Sequence, residues 1–310
     1  MGERAAGAGL PGGLTVLLRV RRATSDDVPI LVQLYDRVSP GGYSASFDRY
    51  GAIRPEDFWW IQSEKEVWLL EVDHRTAGAV IIGRREGALV VEEVVAELPR
   101  QAVDGDPLRT EQTFVQRLGA YLLQHVRRER QERFLLRTAE ANALGLALAR
   151  SLDLVLVNLL LVTTLRPRGR QTPRPPDGYA VRKAAPADAT ELVRIYRECY
   201  PTAPQPAEVE NLLRRPEVRT WVAERDRYLV GFLLAEAHKG GFGDLVAGVR
   251  EPHRRRGLGR ALVAPALNFF QTKQLPVLGL FWGSDSAAQG FYRALGFATE
   301  RVYLFFEKSI

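Results

Sequence analysis

Val249-Arg250-Glu251-Pro252-His253-Arg254-Arg255-Arg256-Gly257-Leu258-Gly259-Arg260-Ala261 is the stretch around which the chain organises. The apolar run Leu245 to Val249 ends at its start, and apolar residues at three- and four-residue spacing continue to about Thr272. The stretch is therefore a turn between a strand and a helix. Gly257 and Gly259 let the backbone pass close to a ligand, and the first-turn N–H groups of the helix, unpaired within it, face outward at its positive end. Such a turn holds an anion, and a pyrophosphate is the expected one. It is neither a Walker A loop nor the dinucleotide fingerprint, since no Lys-Ser/Thr follows and the third glycine is missing.

Working outward, strands are expected at 179–183, 220–224, 228–237, 245–249, 277–281 and 297–306. Helices are expected at 186–199, 207–215, 257–272 and 286–295. Lys239-Gly240-Gly241-Phe242-Gly243 supplies the turn of a hairpin. The first half repeats this order, with strands at 66–72, 79–82, 88–95, 134–137 and 154–165 and helices at 111–127 and 139–151. One junction even repeats residue by residue: Val20-Arg21-Arg22-Ala23-Thr24-Ser25-Asp26-Asp27 matches Val181-Arg182-Lys183-Ala184-Ala185-Pro186-Ala187-Asp188 at a constant offset. Between the halves, 166–177 is Pro- and Arg-rich with no apolar residue besides proline, and reads as the linker. The expected organisation is a tail at 1–14, a domain at 15–165, the linker, and a second domain at 178–310; the fold class is α/β, with mixed sheets in two tandem domains.

The second chemical element is Asp285-Ser286-Ala287-Ala288-Gln289-Gly290-Phe291-Tyr292-Arg293-Ala294-Leu295-Gly296-Phe297. Strand, Arg-x-x-Gly-x-Gly, helix, strand, then a helix with Ala and Tyr closing in Leu-Gly-Phe resembles the GNAT superfamily of acetyl-CoA-dependent N-acetyltransferases. The resemblance is strong over about 178–310 and weak over about 15–165, so the whole chain resembles a tandem GNAT protein. It implies that acetyl-CoA is the cosubstrate, with its pyrophosphate on the amides of Arg254, Arg255, Arg256, Gly257, Leu258, Gly259, Arg260 and Ala261. Val249 and its strand neighbours would serve the pantetheine arm, and Asp285 and Ala288 would lie beside the cofactor. Asp285 departs from the family's usual Asn; it still suits a helix N-cap but cannot donate as an amide does.

The activity so implied is direct transfer of acetyl to an amine of a small molecule in a ternary complex, with no metal. Tyr292 stands where the family places a general acid for the departing thiolate. The family's usual position for a base, a Glu on the fourth strand, holds Gly243 here. Asp244 and Glu236 are the candidate bases, with His238 and Glu251 as further ones, and a solvated surface role is the competing reading for each. His253 is expected to contact solvent or phosphate, Cys199 to pack, and Trp59, Trp60 and Trp282 to belong to the core. The resemblance implies that the acceptor site falls in the variable segment at about 200–218, where Glu208 and Glu210 would suit a cationic amine, although a solvated helix face accounts for them as well.

In the first half, Asn142-Ala143-Leu144-Gly145 and Ala149 to Leu154 align with Asp285 to Phe297, but Ala149 replaces the tyrosine. The loop Asp104 to Thr110 replaces the glycine turn with carboxylates, which would repel a pyrophosphate. The expectation is a degenerate copy that walls the substrate cleft of the other.

Composition narrows the alternatives. Over 310 residues, 46% are hydrophobic and 26% charged, a globular balance. The longest apolar run, Leu154 to Val162, is short and broken by Asn158, so no membrane span is expected. One cysteine permits no internal disulfide, which makes the cytoplasm the default. The net charge of +6 comes from arginines spread along both halves and mixed with acids, so nucleic acid is not expected as a partner. A homodimer is compatible with the sequence and not specified by it. Two other readings stay open: the tandem layout also resembles mycothiol synthase, and a non-catalytic acyl-CoA-binding regulator would show the same intact loop.

Overall fold

The computed structural model describes residues 18–38, 41–72, 74–97, 107–169, 171–172, 174–200 and 202–310. The tail at 1–14 and the acidic loop residues 104–106 lie outside them, as do the side chains of 107–110. In chain order the elements are β1 (Leu18–Arg22), α1 (Val28–Val38), β2 (Tyr43–Ser44), β3 (Arg49–Tyr50), α2 (Pro55–Glu64), β4 (Glu66–Val72), β5 (Arg75–Arg85) and β6 (Ala88–Ala96). Then come α3 (Pro107–Arg128), β7 (Arg133–Ala139), α4 (Ala143–Ser151) and β8 (Val155–Leu165). The second half adds β9 (Ala180–Lys183), α5 (Ala189–Cys199), α6 (Pro206–Arg214), β10 (Val218–Arg225), β11 (Tyr228–His238) and β12 (Phe242–Val249). It ends with α7 (Leu258–Thr272), β13 (Val277–Trp282), α8 (Ser286–Ala294) and β14 (Ala298–Ser309).

Packing divides the chain into one unit that runs to Leu161 and takes in Arg301–Ile310, and another of Val162–Glu300. In the first, β1, β4, β5 and β6 are antiparallel neighbours in that order, β6 and β7 are parallel, and β14 lies antiparallel to β7 from Tyr303↔Ala139 to Ser309↔Arg133. In the second, β9, β10, β11 and β12 form the antiparallel run and β12 pairs parallel with β13. The Pro/Arg segment 166–177 belongs to this unit, where Asn268 on α7 accepts from the Gln171 N–H at 2.8 Å and donates back to its carbonyl at 2.7 Å.

Each sheet has helices on both faces, because its strands carry apolar residues on both sides. In the first unit Phe114, Leu118 and Leu122 of α3 cover one face, while Leu31 of α1 with Phe58 and Ile61 of α2 cover the other. In the second, Leu258, Leu262 and Phe270 of α7 cover one face, and Leu192 and Ile195 of α5 with Val209 of α6 the other.

The repeated junction has a physical cause. Arg21 forms a fork to Asp27 at 2.8 and 2.7 Å and reaches Glu71 at 2.7 Å; Arg182 does the same to Asp188 at 2.7 and 2.9 Å and to Glu224 at 2.8 Å. Each aspartate also accepts a backbone N–H three residues back, from Thr24 or Ala185, and so closes the turn into the helix. That first turn is a 3-10 turn in both copies, so the second helix begins at Ala189 rather than Pro186.

Two expectations fail here. Trp59, Trp60 and Trp282 are 58%, 44% and 46% exposed and are not core residues. Helical spacing turns Phe58 and Ile61 inward and leaves the two tryptophans between them outward. The expected helix over 139–151 starts at Ala143, because Ala139 is still in β7.

Candidate functional site

The centre of the second unit is a pair of parallel strands that separate. β12 and β13 pair only at Gly243↔Val277 and Asp244↔Leu278, although β12 continues to Val249 and β13 to Trp282. Along β12 the backbone groups of even-numbered residues face β11, as the Arg250 N–H bond to the Val230 carbonyl shows, and those of odd-numbered residues face β13. Beyond the parting point the carbonyls of Leu245, Ala247 and Val249 thus have no strand partner on that side. Side chains cap them instead: Tyr292 Oη donates to Leu245 O at 3.4 Å, Tyr200 Oη to Ala247 O at 2.7 Å, and Arg254 Nε to Val249 O at 2.7 Å.

The strand leads directly into the arginine turn. After a 3-10 turn at Glu251–His253, Arg255 takes φ +60° and Gly257 φ +88°, both left-handed, and α7 starts at Leu258. Gly257 has no capping side chain, and the first intrahelical bond of the turn is Ala261 N–H to the Gly257 carbonyl. The N–H groups of Leu258, Gly259 and Arg260 precede that bond and face out of the helix end. Arg254, Arg255 and Arg256 are exposed around them, while Leu258 and Ala261 bury their side chains and offer only backbone. Arg260 reaches the Ala294 carbonyl at the end of α8 at 3.3 Å. Arg250, just before the turn, is engaged by Glu191 at 2.7 Å.

The two glycines do different work. A Cβ on Gly257 would meet nothing within 4 Å, so its positive φ is what requires glycine. A Cβ on Gly259 would meet the Phe291 ring at 2.7 Å, so that glycine admits α8 against α7. Gly243 is glycine for the second reason: the Phe270 ring fills the space of any side chain there.

Tyr292 projects from α8 to the point where the strands part, stacked on Phe281 with centroids 5.3 Å apart and edge-on to Phe297 at 4.9 Å. Burial, then the nearby charges of Asp244, Tyr200 and Asp285, push its phenol well above the usual value. Tyr200 is likewise pushed up, to about 12, chiefly by burial. Asp285 caps α8 by accepting the Ala288 N–H at 2.9 Å.

The candidate bases lie together. Glu236 and Asp244 are direct cross-strand partners on the face of the sheet covered by α5. Asp244 Oδ1 accepts the Leu245 N–H at 2.7 Å, and its charge reaches both Tyr196 and Tyr292. Glu236 is engaged by Arg215 at 2.6 Å. His238 stacks on Phe242 with centroids 4.6 Å apart and its Nε2 is 3.9 Å from Asp244 Oδ2. His253 does not face the turn alone: its Nδ1 is 3.0 Å from the Tyr179 hydroxyl, and burial followed by the charges of Arg225, Arg256 and Arg250 lowers its pKa. Glu251 is exposed, and its carbonyl accepts the Arg254 N–H at 3.1 Å. Glu208 closes its own helix by accepting the Gln205 N–H at 2.7 Å, and Glu210 lies 3.8 Å from Arg214. Cys199 packs at Gly248, where an added Cβ would approach its Sγ to 3.0 Å.

Tyr200 was not singled out by sequence, where it appears only as the start of a variable segment. Its signal is an aromatic residue at the end of the amphipathic α5, beside Tyr196 at 4.8 Å, and one sequence does not distinguish that from core packing.

In the first unit β6 and β7 stay paired over Ala88–Val91, and the outward carbonyls beyond are closed by fixed groups. Arg137 donates to Glu92 O at 3.2 Å while bound to the Glu92 carboxylate at 3.1 Å, and Asn142 donates to Val94 O at 2.7 Å while capping α4. Ala149 is buried in the apolar core.

Among the described residues no group of three or more side chains is arranged to hold a metal ion, and no helix is long and apolar enough to cross a membrane.

Residues 189–297 match the family described as Acetyltransferase (GNAT) family. A search of curated proteins finds no match. Among solved structures, the chain is similar to a GCN5-related N-acetyltransferase from Sphaerobacter thermophilus at TM-score 0.67 and 18% identity, over 94% of this chain and 95% of that one. It is also similar to a tandem GNAT protein from the clavulanic acid biosynthesis pathway at TM-score 0.63 and 13% identity, over 94% and 98%. A GNAT-family acetyltransferase from Colwellia psychrerythraea gives TM-score 0.58 and 13% identity, over 93% and 99%. Residues 189–297 thus match the acetyltransferase (GNAT) family, in a chain whose fold is similar to that of a tandem GNAT protein.

Proposed function

We propose that the second unit transfers acetyl from acetyl-CoA to the amine of a small molecule by direct attack. The observation that carries this reading is the track from the arginine turn, along the outward carbonyls of Val249, Ala247 and Leu245, to Tyr292 where β12 and β13 part. A long ligand with an anionic end, an amide-bearing arm and a reactive tip fits that track, and acetyl-CoA has this form. When bound, it supplies an activated acyl thioester.

The chain's own residues supply the rest. The N–H groups at the start of α7, with Arg254, Arg255 and Arg256, bind the diphosphate. The backbone of β12 orients the arm. Tyr292 Oη, held protonated at neutral pH by burial and the neighbouring Asp244 charge, carries the proton that a departing thiolate needs. Asp244, anchored by the Leu245 N–H, takes the proton from the attacking amine, directly or through a water. Glu236, directly opposite Asp244 across the strand pair, is engaged by Arg215 and so is less free to act as the base.

Release of CoA thiol over a panel of small amines tests the reading. Amine-dependent release that falls about a hundredfold or more in Asp244→Asn and Tyr292→Phe supports it. Binding of acetyl-CoA with no turnover on any amine favours a regulatory acyl-CoA-binding role instead.

A further inference from the structure

We infer that Tyr200 is a displaceable cap on the arm-binding edge of β12 and that its hydroxyl sets the affinity for the acyl-CoA arm. The inference rests on the proposed acyl-CoA reading and deepens it. Tyr200 follows the last residue of α5 and is not itself helical: its φ and ψ are −135° and 146°, with its N–H still bonded to the Tyr196 carbonyl. From there its hydroxyl donates at 2.7 Å to Ala247 O, the middle of the three outward carbonyls beyond the parting of β12 and β13. A ligand arm that lies along this edge and donates an amide N–H to that carbonyl competes with the phenol for the space beside the strand, even though the oxygen has two lone pairs.

The neighbouring caps differ from it. Tyr292 reaches Leu245 O only at 3.4 Å, and Arg254 on Val249 O is a cation that a diphosphate in the adjacent turn would attract away. Tyr200 is the short, neutral bond in the middle, with no anion to draw it off. The first unit shows the permanent form of the same arrangement, in which the equivalent carbonyls are closed by Asn142 and by Arg137, both tied into caps and ion pairs of their own. Among the described residues the Tyr200 hydroxyl makes no second hydrogen bond: the ring rests on Tyr196, and removing the hydroxyl leaves that packing in place.

Calorimetric titration of the full chain and of Tyr200→Phe with acetyl-CoA and with ADP, which carries a diphosphate but no arm, tests this. Tyr200→Phe is expected to bind acetyl-CoA about fivefold more tightly, the size of one lost competing hydrogen bond, with ADP affinity unchanged. Unchanged or weaker acetyl-CoA binding with ADP binding intact overturns the cap and leaves the acyl-CoA reading standing. Equal tightening toward both ligands also overturns it, since the effect would then lie in the turn. If neither ligand binds either protein, the acyl-CoA reading falls and the cap falls with it.

Discussion

Phe270 of α7 occupies the space that any side chain at residue 243 of β12 would need. The strand position at which the family usually carries a glutamate base is therefore closed by the core of this domain. Under the proposed function, proton removal falls to the opposite face, where Asp244 and Glu236 face each other across the strands. Gly243→Ala should cost about 1–3 kcal/mol of stability by overpacking against a fully buried ring, and Gly243→Glu should unfold the domain rather than supply a base. Urea denaturation of both variants checks this.

The two carboxylates should separate kinetically. Asp244 lies within electrostatic reach of Tyr292, whereas Glu236 is held by Arg215 at 2.6 Å. Asp244→Asn should lower kcat about a hundredfold or more. Glu236→Gln should change kcat by less than about tenfold, within the range of a lost supporting contact. A reversed order in steady-state kinetics assigns the base to Glu236.

The duplicated arginine fork predicts a shared acid sensitivity. Hydrogen bonding and charge from Arg182 lower the Asp188 pKa below its ordinary 3.8, and Arg21 does the same to Asp27. A carboxylate whose folded pKa is depressed stabilises fully above its unfolded value, and the contribution is lost as pH falls through the folded one. Arg182→Met should therefore cost about 1 kcal/mol at pH 7, discounted because the arginine is 39% exposed, and progressively less below about pH 4. Urea midpoints from pH 7 to pH 3 measure the narrowing gap.

Glu93 of β6 predicts the opposite sign. Burial pushes its carboxyl up, and its Oε2 is buried without a hydrogen-bond partner. A raised folded pKa means that stability is present in full below the unfolded value of 4.5 and is lost as pH rises through the folded one. Glu93→Gln should have a higher urea midpoint than the wild type at pH 8, and the difference should vanish near pH 4.

The parts of the fold written in local pattern were legible in the chain. The glycine turn, the apolar run before it and the helical spacing after it place β12 and α7 to within a few residues, and the repeat at Arg21 and Arg182 reveals the duplication. What stayed hidden depends on contacts distant in sequence. Gly259 needs Phe291, and Gly243 needs Phe270, so neither glycine announces its reason. The run Phe58-Trp59-Trp60-Ile61 reads as core by composition, yet a helix buries one face only, which takes Phe58 and Ile61 three residues apart and leaves the two tryptophans outside it. Tyr200 acts on Ala247, and only the parting of two strands gives that contact its meaning.

The most direct test of the acyl-CoA reading is calorimetric titration of acetyl-CoA into the wild type, Gly257→Glu and Arg256→Glu. Gly259 is left intact, since changing it would drive a side chain into Phe291. The account predicts one site per chain, because the first unit's strand edge is closed by Arg137 and Asn142. It predicts that affinity falls at least tenfold in both variants, from carboxylates placed against the diphosphate. A second site per chain, or wild-type affinity in both variants, would contradict it.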